Sequence, residues 1–217
     1  MAIKILLADD HTVVRHGLRT ALEKEPELEV VAEADNGRLA VILAQKLKPD
    51  VVLMDIHMPD LNGTEATRQI VSAQPDVRVI ALSMYSQKRY VLGMFEAGAA
   101  GFLIKNCSFE ELAHAVRTVA AGKRYLNSEI AEVLVTSALN PAPKETAYSL
   151  HLLSPREREV IQLIAEGHSS KSIATQLCIS GRTVEAHRRE IMRKLNVKSV
   201  AELTKFALRE GLTSIEL

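Results

Sequence analysis

The first half of the chain alternates short apolar runs with stretches of helical spacing. Five runs are typical of buried strands, and they read IKILLA, LEVVAEA, DVVLMD, VRVIALS and GFLIK. Runs rich in Val, Ile and Leu are typical of parallel strands that are covered on both faces. Between them, apolar residues recur at helical spacing, as Val14, Leu18 and Leu22 do. The pattern predicts an α/β fold of (βα)5 type, with a parallel five-stranded sheet that ends near Gly122.

After Tyr125 the pattern is helical throughout. Residues 126–140 read as one amphipathic helix, and the polar, Pro-containing stretch PAPKETAYS that follows predicts a flexible linker. Ser154 then precedes a Pro and a Glu at the spacing of a helix N-cap and capping box. The remaining periodic segments predict an all-α domain of four helices. Because its second and third helices are separated only by the brief turn CIS, we expect a helix-turn-helix arrangement.

Length and apolar content fit globular cores, in either one large domain or two modest ones. The 217 residues carry a formal net charge of zero, and the two cysteines, Cys107 and Cys178, form neither a disulfide framework nor a zinc motif. No apolar run is long enough to span a bilayer, so we expect a soluble cytoplasmic protein. Residues 182–198 hold six basic side chains against two acidic ones. This segment is either a phosphate-facing patch or a solvated helix face.

Polar residues stand where the predicted strands end. Asp9 and Asp10 follow the first strand, Asp55 ends the third, Ser83 ends the fourth, and Lys105 ends the fifth. The carboxyl ends of parallel strands share one edge of the sheet, where ligands bind in open α/β folds. Each Asp alone would be read as an ordinary strand-end or helix N-cap residue. Together with the serine and the lysine they predict a single polar site.

Three close carboxylates stay ionised together only around a cation, and a few hard oxygen ligands indicate Mg²⁺. In such a site a strand-end carboxylate can attack a phosphoryl group while the metal and an ammonium neutralise its oxygens. Asp55, Lys105 and Ser83 are therefore candidates for phosphoryl transfer. A Mg²⁺-dependent phosphatase that forms an aspartyl phosphate is a competing interpretation. Such enzymes usually carry a second Asp two residues after the nucleophile, where this chain has His57.

The motifs LLADDH, VVLMDIHMPDLNG, VIALS and AGAAGFLIK resemble the receiver domain of two-component response regulators. The segment LSPREREVIQLIAEGHSSKSIATQLCISGRTVEAHRREIMRKL resembles the LuxR-type DNA-binding domain. Together they resemble the NarL/FixJ class of transcriptional regulators, whose receiver has a flavodoxin-like fold. The resemblance implies a receiver at residues 1–123, a linker helix and flexible linker at 124–150, and a DNA-binding domain at 151–217.

For the receiver, the resemblance implies that Asp55 is the phosphoacceptor and that Mg²⁺ is held by Asp9 (largely through water), Asp10, Asp55 and the backbone carbonyl of His57. It also implies that Lys105 pairs with the phosphoryl group, that Ser83 moves to bond it, and that Phe102 is the aromatic switch that turns inward. Many receivers have Pro after this lysine, whereas this chain has Asn106.

The third C-terminal helix has two distinct faces at 100° per residue. Val184, His187, Ile191 and Leu195 should pack inward, with His187 as a structural residue rather than a metal ligand. Arg182, Ala186, Arg189 and Arg193 lie opposite and could enter a major groove. The resemblance implies Glu185, Ala186 and Arg189 as base readers and Lys171, Arg182 and Lys194 as phosphate contacts. Thr183 and Arg188 complete the candidate DNA-binding set.

These expectations describe a DNA-binding transcriptional regulator rather than an enzyme. A sensor histidine kinase would phosphorylate Asp55, and phosphorylation would control homodimerisation and binding to double-stranded promoter DNA. Contact with RNA polymerase is a further expectation, and contact with a membrane is not expected. The alternative is a constitutive or ligand-gated transcription factor whose receiver is never phosphorylated.

Overall fold

The computed structural model describes residues 2–139 and 150–214. The chain divides into two compact units, Met1–Asn140 and Pro141–Leu217. The expected flexible linker, residues 141–149, lies outside the described residues.

The N-terminal unit is a parallel sheet covered by helices on both faces. Within the described residues its strands are β1 (Ile3–Ala8), β2 (Leu28–Ala34), β3 (Val51–Asp55), β4 (Arg78–Ser83), β5 (Gly101–Ile104) and β6 (Tyr125–Leu126). Its helices are α1 (Thr12–Leu22), α2 (Gly37–Leu47), α3 (Gly63–Ala73), α4 (Lys88–Glu96), α5 (Phe109–Ala120) and α6 (Ser128–Leu139). The strands lie in the order β2-β1-β3-β4-β5-β6, and every pair is parallel.

The sheet has six strands, so the expected count of five was wrong, while the α/β fold itself is confirmed. The additional strand β6 is only two residues long and pairs with Gly101 and Phe102 of β5. Two residues are too few to show a period of two, and for this reason the apolar pattern gave no sign of it. The predicted helix after it is present as α6, and its Ile130 is fully buried in the core of this unit.

Alternate residues along the strands belong to two separate hydrophobic clusters, one on each face of the sheet. On β1, Leu6 belongs to the cluster that also holds residues of α2, α3, α4 and α6, whereas Ile5 and Leu7 belong to the cluster under α1 and α5. All three side chains are fully buried. Burial on both faces fixes each strand firmly, so the residues at its carboxyl end are held in place by the whole core.

The strand order reverses between β1 and β3, because β1 connects to β2 on one side and pairs with β3 on the other. A reversal of this kind opens a crevice beyond the carboxyl ends of the two strands. Asp9 follows β1 and Asp55 ends β3, so both acids stand at this crevice.

The C-terminal unit is helical throughout its described residues. A short 3₁₀ helix (Leu150–Leu152) precedes α7 (Pro155–Ala165), α8 (Ser170–Gln176), α9 (Gly181–Leu195) and α10 (Val200–Glu210). Ser154 and Glu157 form the expected capping box at α7, and Ser180 caps α9 through the backbone N–H of Thr183. One core joins the four helices, with Val160, Ile173, Val184, Ile191 and Phe206 among its buried residues.

The loop after β3 depends on a glycine that permits close backbone packing. A Cβ at Gly63 would overlap the carbonyl oxygen of Asp55, whereas a Cβ at Gly17, in α1, would meet nothing within 4 Å. We expect Gly63→Ala to lower the free energy of unfolding by about 1–3 kcal/mol through steric strain. Gly17→Ala, the matched control, should raise it by about 0.5–1 kcal/mol because Ala favours the helix. Urea unfolding followed by circular dichroism measures both, and equal effects of the two substitutions would contradict the steric argument.

Candidate functional site

Three carboxylates meet at the crevice between β1 and β3. Asp9 and Asp55 are 1% and 3% exposed, and Asp10 is partly buried beside them. The Asp55 carboxylate accepts a hydrogen bond from the backbone N–H of Ile56 at 2.8 Å. The structure therefore brings together the three acids that the sequence analysis predicted to share one site.

Lys105, directly after β5, reaches across to two of these acids. Its Nζ atom lies 2.7 Å from Oδ2 of Asp9 and 3.1 Å from Oδ2 of Asp55. Its backbone N–H donates to the carbonyl of Ser83 at 2.8 Å, which ties the end of β5 to the end of β4. Burial alone would lower the pKa of Lys105, but the Asp55 and Asp9 carboxylates raise it above its ordinary value. The ammonium therefore stays charged and partly offsets the acids.

One lysine does not compensate for three acids. Burial raises the pKa of Asp55 to about 7, with Lys105 opposing this shift and the charges of Asp9 and Asp10 adding to it. A carboxyl group with such a pKa is readily protonated at neutral pH unless a further cation joins the site.

The residues present fit a hard divalent cation. Ligand atoms of Asp9, Asp10, His11 and Asp55 all lie within 4.8 Å of one another. Oδ2 of Asp9 and Oδ1 of Asp10 are buried at this cluster, the first beside the Lys105 ammonium and the second beside the His11 ring. Carboxylate oxygens in small number are the ligands of Mg²⁺. The structure thus provides an acidic pocket whose ligand atoms suit Mg²⁺.

The side chain of His57 packs beside the site rather than into the acidic cluster. Its ring meets the ring of Tyr90 edge to face, with centroids 4.7 Å apart. Burial lowers the pKa of His57, and the charges of Arg89 and Lys105 lower it further. The imidazole is therefore neutral at neutral pH. Metal binding by the backbone carbonyl of His57 stays a prediction.

Ser83 and Phe102 differ in how far they match the expected switch. The Ser83 hydroxyl donates to the carbonyl of Tyr85 at 2.8 Å and accepts from the Tyr85 N–H at 3.0 Å. It is therefore engaged with the loop after β4. The Phe102 ring is fully buried in the core that includes Met94 and Ile104. The ring lies in the core in this structure, and the role of Phe102 as the aromatic switch stays a prediction.

Two residues at the site were missed by the sequence analysis. His11 Nδ1 lies 2.9 Å from Asp10 and 3.3 Å from Asp9, and its backbone N–H donates to Asp9. Arg15 donates to the carbonyl of Asp9 at 2.6 Å while its Nε donates to Glu33 of β2 at 3.0 Å. His11 adjoins the acidic pair and Arg15 follows one helical turn later, a spacing that could have drawn attention to both.

Helix α9 has the two faces predicted for it. Val184 and Ile191 are buried in the core of the C-terminal unit, with Leu195 packed against it. His187 is partly buried. Most of the candidate DNA-binding residues are exposed. On α9 these are Arg182, Thr183, Ala186, Arg189 and Arg193, and on α8 Lys171 is exposed.

Several polar residues of α9 have partners within their own unit. Glu185 accepts a hydrogen bond from the Ser170 hydroxyl at 2.5 Å and lies 4.0 Å from Arg188. Lys194 Nζ donates to both oxygens of Glu157 at 2.7 and 2.9 Å. The pair joins the end of α9 to the capping box of α7. The structure thus gives Lys194 a structural contact, and its expected contact with DNA phosphate stays a prediction.

Comparison with known families accounts for both units. The response regulator receiver domain matches residues 5–117, and the luxR family of bacterial regulatory proteins matches residues 151–207. The chain belongs to the NarL/FixJ response regulators. Regulators of this class are phosphorylation-dependent, DNA-binding transcription factors, and the chain carries both of the domains that this function requires.

Relatives of this NarL/FixJ regulator match it along nearly its whole length. Response regulator GacA of Pseudomonas aeruginosa is 39% identical over 210 residues, which are 97% of each chain. Oxygen regulatory protein NreC of Staphylococcus carnosus is also 39% identical, over 97% of this chain and 99% of its own. The crystal structure of response regulator ChrA, from a haem-sensing two-component system, aligns over 97% of this chain and 98% of its own. Its identity is 34% and its TM-score is 0.54.

Throughout the two described ranges, each helix of this NarL/FixJ regulator is too short or too polar to cross a membrane.

Binding of Mg²⁺ should depend on pH through Asp55. The carboxyl group must lose its proton to bind the cation, and its pKa is about 7. The affinity for Mg²⁺ is therefore highest above this pH and falls as the pH is lowered through it. Below about pH 6 the apparent Kd should rise roughly tenfold per pH unit. Calorimetric titrations with MgCl₂ from pH 5.5 to 8.5 measure this.

The control for this titration is Asp55→Asn, which cannot ionise at this position. It should bind Mg²⁺ more weakly and show a shallower dependence on pH. An affinity of the intact protein that stays flat between pH 5.5 and 7 would contradict the assignment of the titrating group.

Proposed function

We propose that Asp55 accepts a phosphoryl group from a sensor histidine kinase, and that this modification controls homodimerisation and binding to promoter DNA. The observation that carries the proposal is the contact of Lys105 with the Asp55 and Asp9 carboxylates at the carboxyl ends of buried parallel strands. A carboxylate held rigidly beside an ammonium is well placed to attack a phosphorus atom.

In the transfer, an oxygen of Asp55 attacks the phosphorus in line with the leaving group. A phosphorus–oxygen bond forms as the phosphorus–nitrogen bond to the imidazole of the kinase breaks, and the imidazole leaves with that electron pair. Lys105 then exchanges its contact with the carboxylate for one with a phosphoryl oxygen. Mg²⁺, when bound, would neutralise phosphoryl oxygens, and it would be held by Asp9 (through water), Asp10, Asp55 and the carbonyl of His57.

The response to phosphorylation would begin at Ser83. Its hydroxyl bonds to Tyr85 in the unphosphorylated protein, and it would exchange this contact for one with the phosphoryl group, moving the loop after β4. Phe102, whose ring lies in the core in this structure, would be the aromatic switch that responds as Ser83 moves. A change from mostly inactive to mostly active needs roughly 3–5 kcal/mol of differential stabilisation, which is within reach of a few charge-assisted hydrogen bonds.

Helix α9 would read the major groove of double-stranded DNA in a dimer. Glu185, Ala186 and Arg189 would contact bases, and Lys171, Arg182 and Lys194 would contact phosphates, with Thr183, Arg188 and Arg193 completing the surface. In this division residues 1–123 receive the signal, residues 124–150 connect, and residues 151–217 bind DNA. The regulator would act in the cytoplasm, where RNA polymerase is a further partner.

The proposal makes this chain a regulator rather than an enzyme. Phosphatases that form an aspartyl phosphate usually carry a second Asp two residues after the nucleophile, to act as acid and base. Here that residue is His57, whose ring packs against Tyr90 and is neutral. A lasting phosphoprotein rather than rapid turnover is therefore expected.

Phosphorylation is tested with acetyl phosphate and MgCl₂, followed by intact-protein mass spectrometry. The protein should gain one phosphoryl group, and Asp55→Asn should gain none because the amide is not a nucleophile. Asp76→Asn, which changes an exposed Asp between α3 and β4, should be labelled normally. Light scattering should show a dimer only where the label is present. Equal labelling of the Asp55 variant, or continuous phosphate release without a phosphoprotein, would refute the proposal.

The role of Arg189 is tested on DNA fragments selected for binding by the phosphorylated protein. Arg189→Ala should weaken specific binding by about 1–3 kcal/mol, because a base contact is lost. Binding to random DNA should change much less. Arg124→Ala removes the same charge from an exposed position of the N-terminal unit and should leave affinity unchanged. Fluorescence anisotropy gives the Kd values, and an unaltered Kd for Arg189→Ala on the selected DNA would exclude it as a base reader.

A further inference from the structure

A small apolar pocket lies between α1 and α5, and Lys105 is one of the residues that line it. Its volume is about 170 Å³. Val14, Leu18 and Ala21 of α1 form one wall, and Phe109 and Leu112 of α5 form the other. The pocket is not part of the acidic cluster, and the phosphoryl transfer described above does not use it.

Gly17 leaves part of this pocket open. It is a lining residue within α1, and a Cβ added there would meet nothing within 4 Å. A glycine inside a helix costs about 0.5–1 kcal/mol relative to Ala. Gly17 is exposed, and a larger side chain at this position would fit beside the pocket and narrow it.

The polar residues of the lining offer no unpaired charge. The ammonium of Lys105 is engaged with Asp9 and Asp55, so it is the hydrocarbon part of this side chain that is available to the pocket. Burial raises the pKa of the Cys107 thiol, and the charge of Glu111 raises it further. The thiol is therefore protonated at neutral pH. A charged occupant would find no counter-charge here, and burying it would be costly.

The size of the pocket also limits its occupant. An apolar protein cavity of about 150 Å³ binds benzene. A pocket of about 170 Å³ admits one or two fused rings and nothing much larger. Phe109 offers a ring edge and Cys107 offers a polarizable sulfur atom, and both make favourable contacts with aromatic rings.

We propose that this pocket binds an uncharged, largely apolar molecule of the size of one or two aromatic rings, and that the bound molecule restrains Lys105. The second part rests on the proposed function, because it matters only if Lys105 serves phosphoryl transfer at Asp55. Phosphorylation requires Lys105 to exchange a carboxylate contact for a phosphoryl oxygen, and a ligand packed against its stem would keep the ammonium at this edge of the sheet during the exchange. The ligand would thereby favour the phosphorylated state.

The two cysteines of the chain make a direct binding assay. Cys107 lines the pocket, and Cys178 is exposed in the C-terminal unit. The full-length protein is alkylated with iodoacetamide at pH 8.5, with and without indole as the probe, and the rate at each cysteine is followed by peptide mass spectrometry. At an indole concentration ten times its Kd, alkylation of Cys107 should slow about tenfold. Alkylation of Cys178 should be unchanged.

Two neighbouring substitutions in α1 separate the pocket from the rest of the surface. Gly17→Leu places a branched side chain in the open space and should abolish protection of Cys107 by indole. His16→Leu adds a Leu at an exposed position that does not line the pocket, and protection should persist. Circular dichroism confirms that both variants are folded. Should Gly17→Leu fail to fold, Ala21→Phe on the next turn serves the same purpose.

Three outcomes would overturn binding at this pocket. The first is alkylation of Cys107 that indole does not slow up to its solubility limit. The second is protection that survives in folded Gly17→Leu. The third is protection that appears without indole as the protein concentration rises, which would mean that a second copy of the chain covers the pocket.

The coupling to Lys105 is measured separately. The Kd for indole should be lower by about fivefold or more after treatment with acetyl phosphate and MgCl₂. Equal values for the two forms would overturn the coupling. Asp55→Asn should still bind indole at the unphosphorylated affinity. If indole binds but Asp55 is not phosphorylated, only the proposed function is refuted. If Asp55 is phosphorylated but indole does not bind, only the proposed binding at the pocket is refuted.

Discussion

The N-terminal unit is organised around the repulsion between carboxylates at the end of its sheet. Asp9 and Asp55 are buried, and Lys105 holds them together from the end of a different strand. Buried charges that lack partners cost several kcal/mol, roughly, so the acids remain ionised only while an ammonium or a metal offsets them. The site is consequently sensitive to any added charge, and a group that brings negative oxygens must rearrange these contacts.

The rigidity of the fold makes this sensitivity useful. The strands that carry the acids and the lysine are buried on both faces, so their ends cannot drift apart to relieve the repulsion. The repulsion must instead be relieved by movement of segments outside the strands. One such segment is the loop after β4, where the Ser83 hydroxyl is hydrogen-bonded to the backbone of Tyr85. Arg15 adds to the rigid side, since it joins the carbonyl of Asp9 to Glu33 on the neighbouring strand. Under the proposed function, a local change of charge would thereby be converted into movement of a surface loop.

Strong periodic signals predicted most of the fold. The apolar runs IKILLA and LEVVAEA coincide with β1 and β2, and the Ser154 capping box starts α7 where expected, because each depends on nearby residues alone. The strand β6 was missed because its two residues are specified by pairing with β5 rather than by a pattern. The meeting of Asp9, Asp55 and Lys105 followed from topology. The partner of Lys194 depends on tertiary packing, which spacing along the chain does not encode.

The packing of α6 against the receiver affects how this protein could be recombined with its relatives. Ile130 is fully buried in the same cluster as Phe102 and Met94, and Val133 and Leu134 pack against that cluster. A chimaera joined at Lys123 would exchange this helix for a foreign one and leave part of the cluster without its cover. A chimaera that exchanges DNA-binding domains between relatives should therefore keep residues up to Leu139 together with their own receiver sheet. The junction should be placed after Leu139.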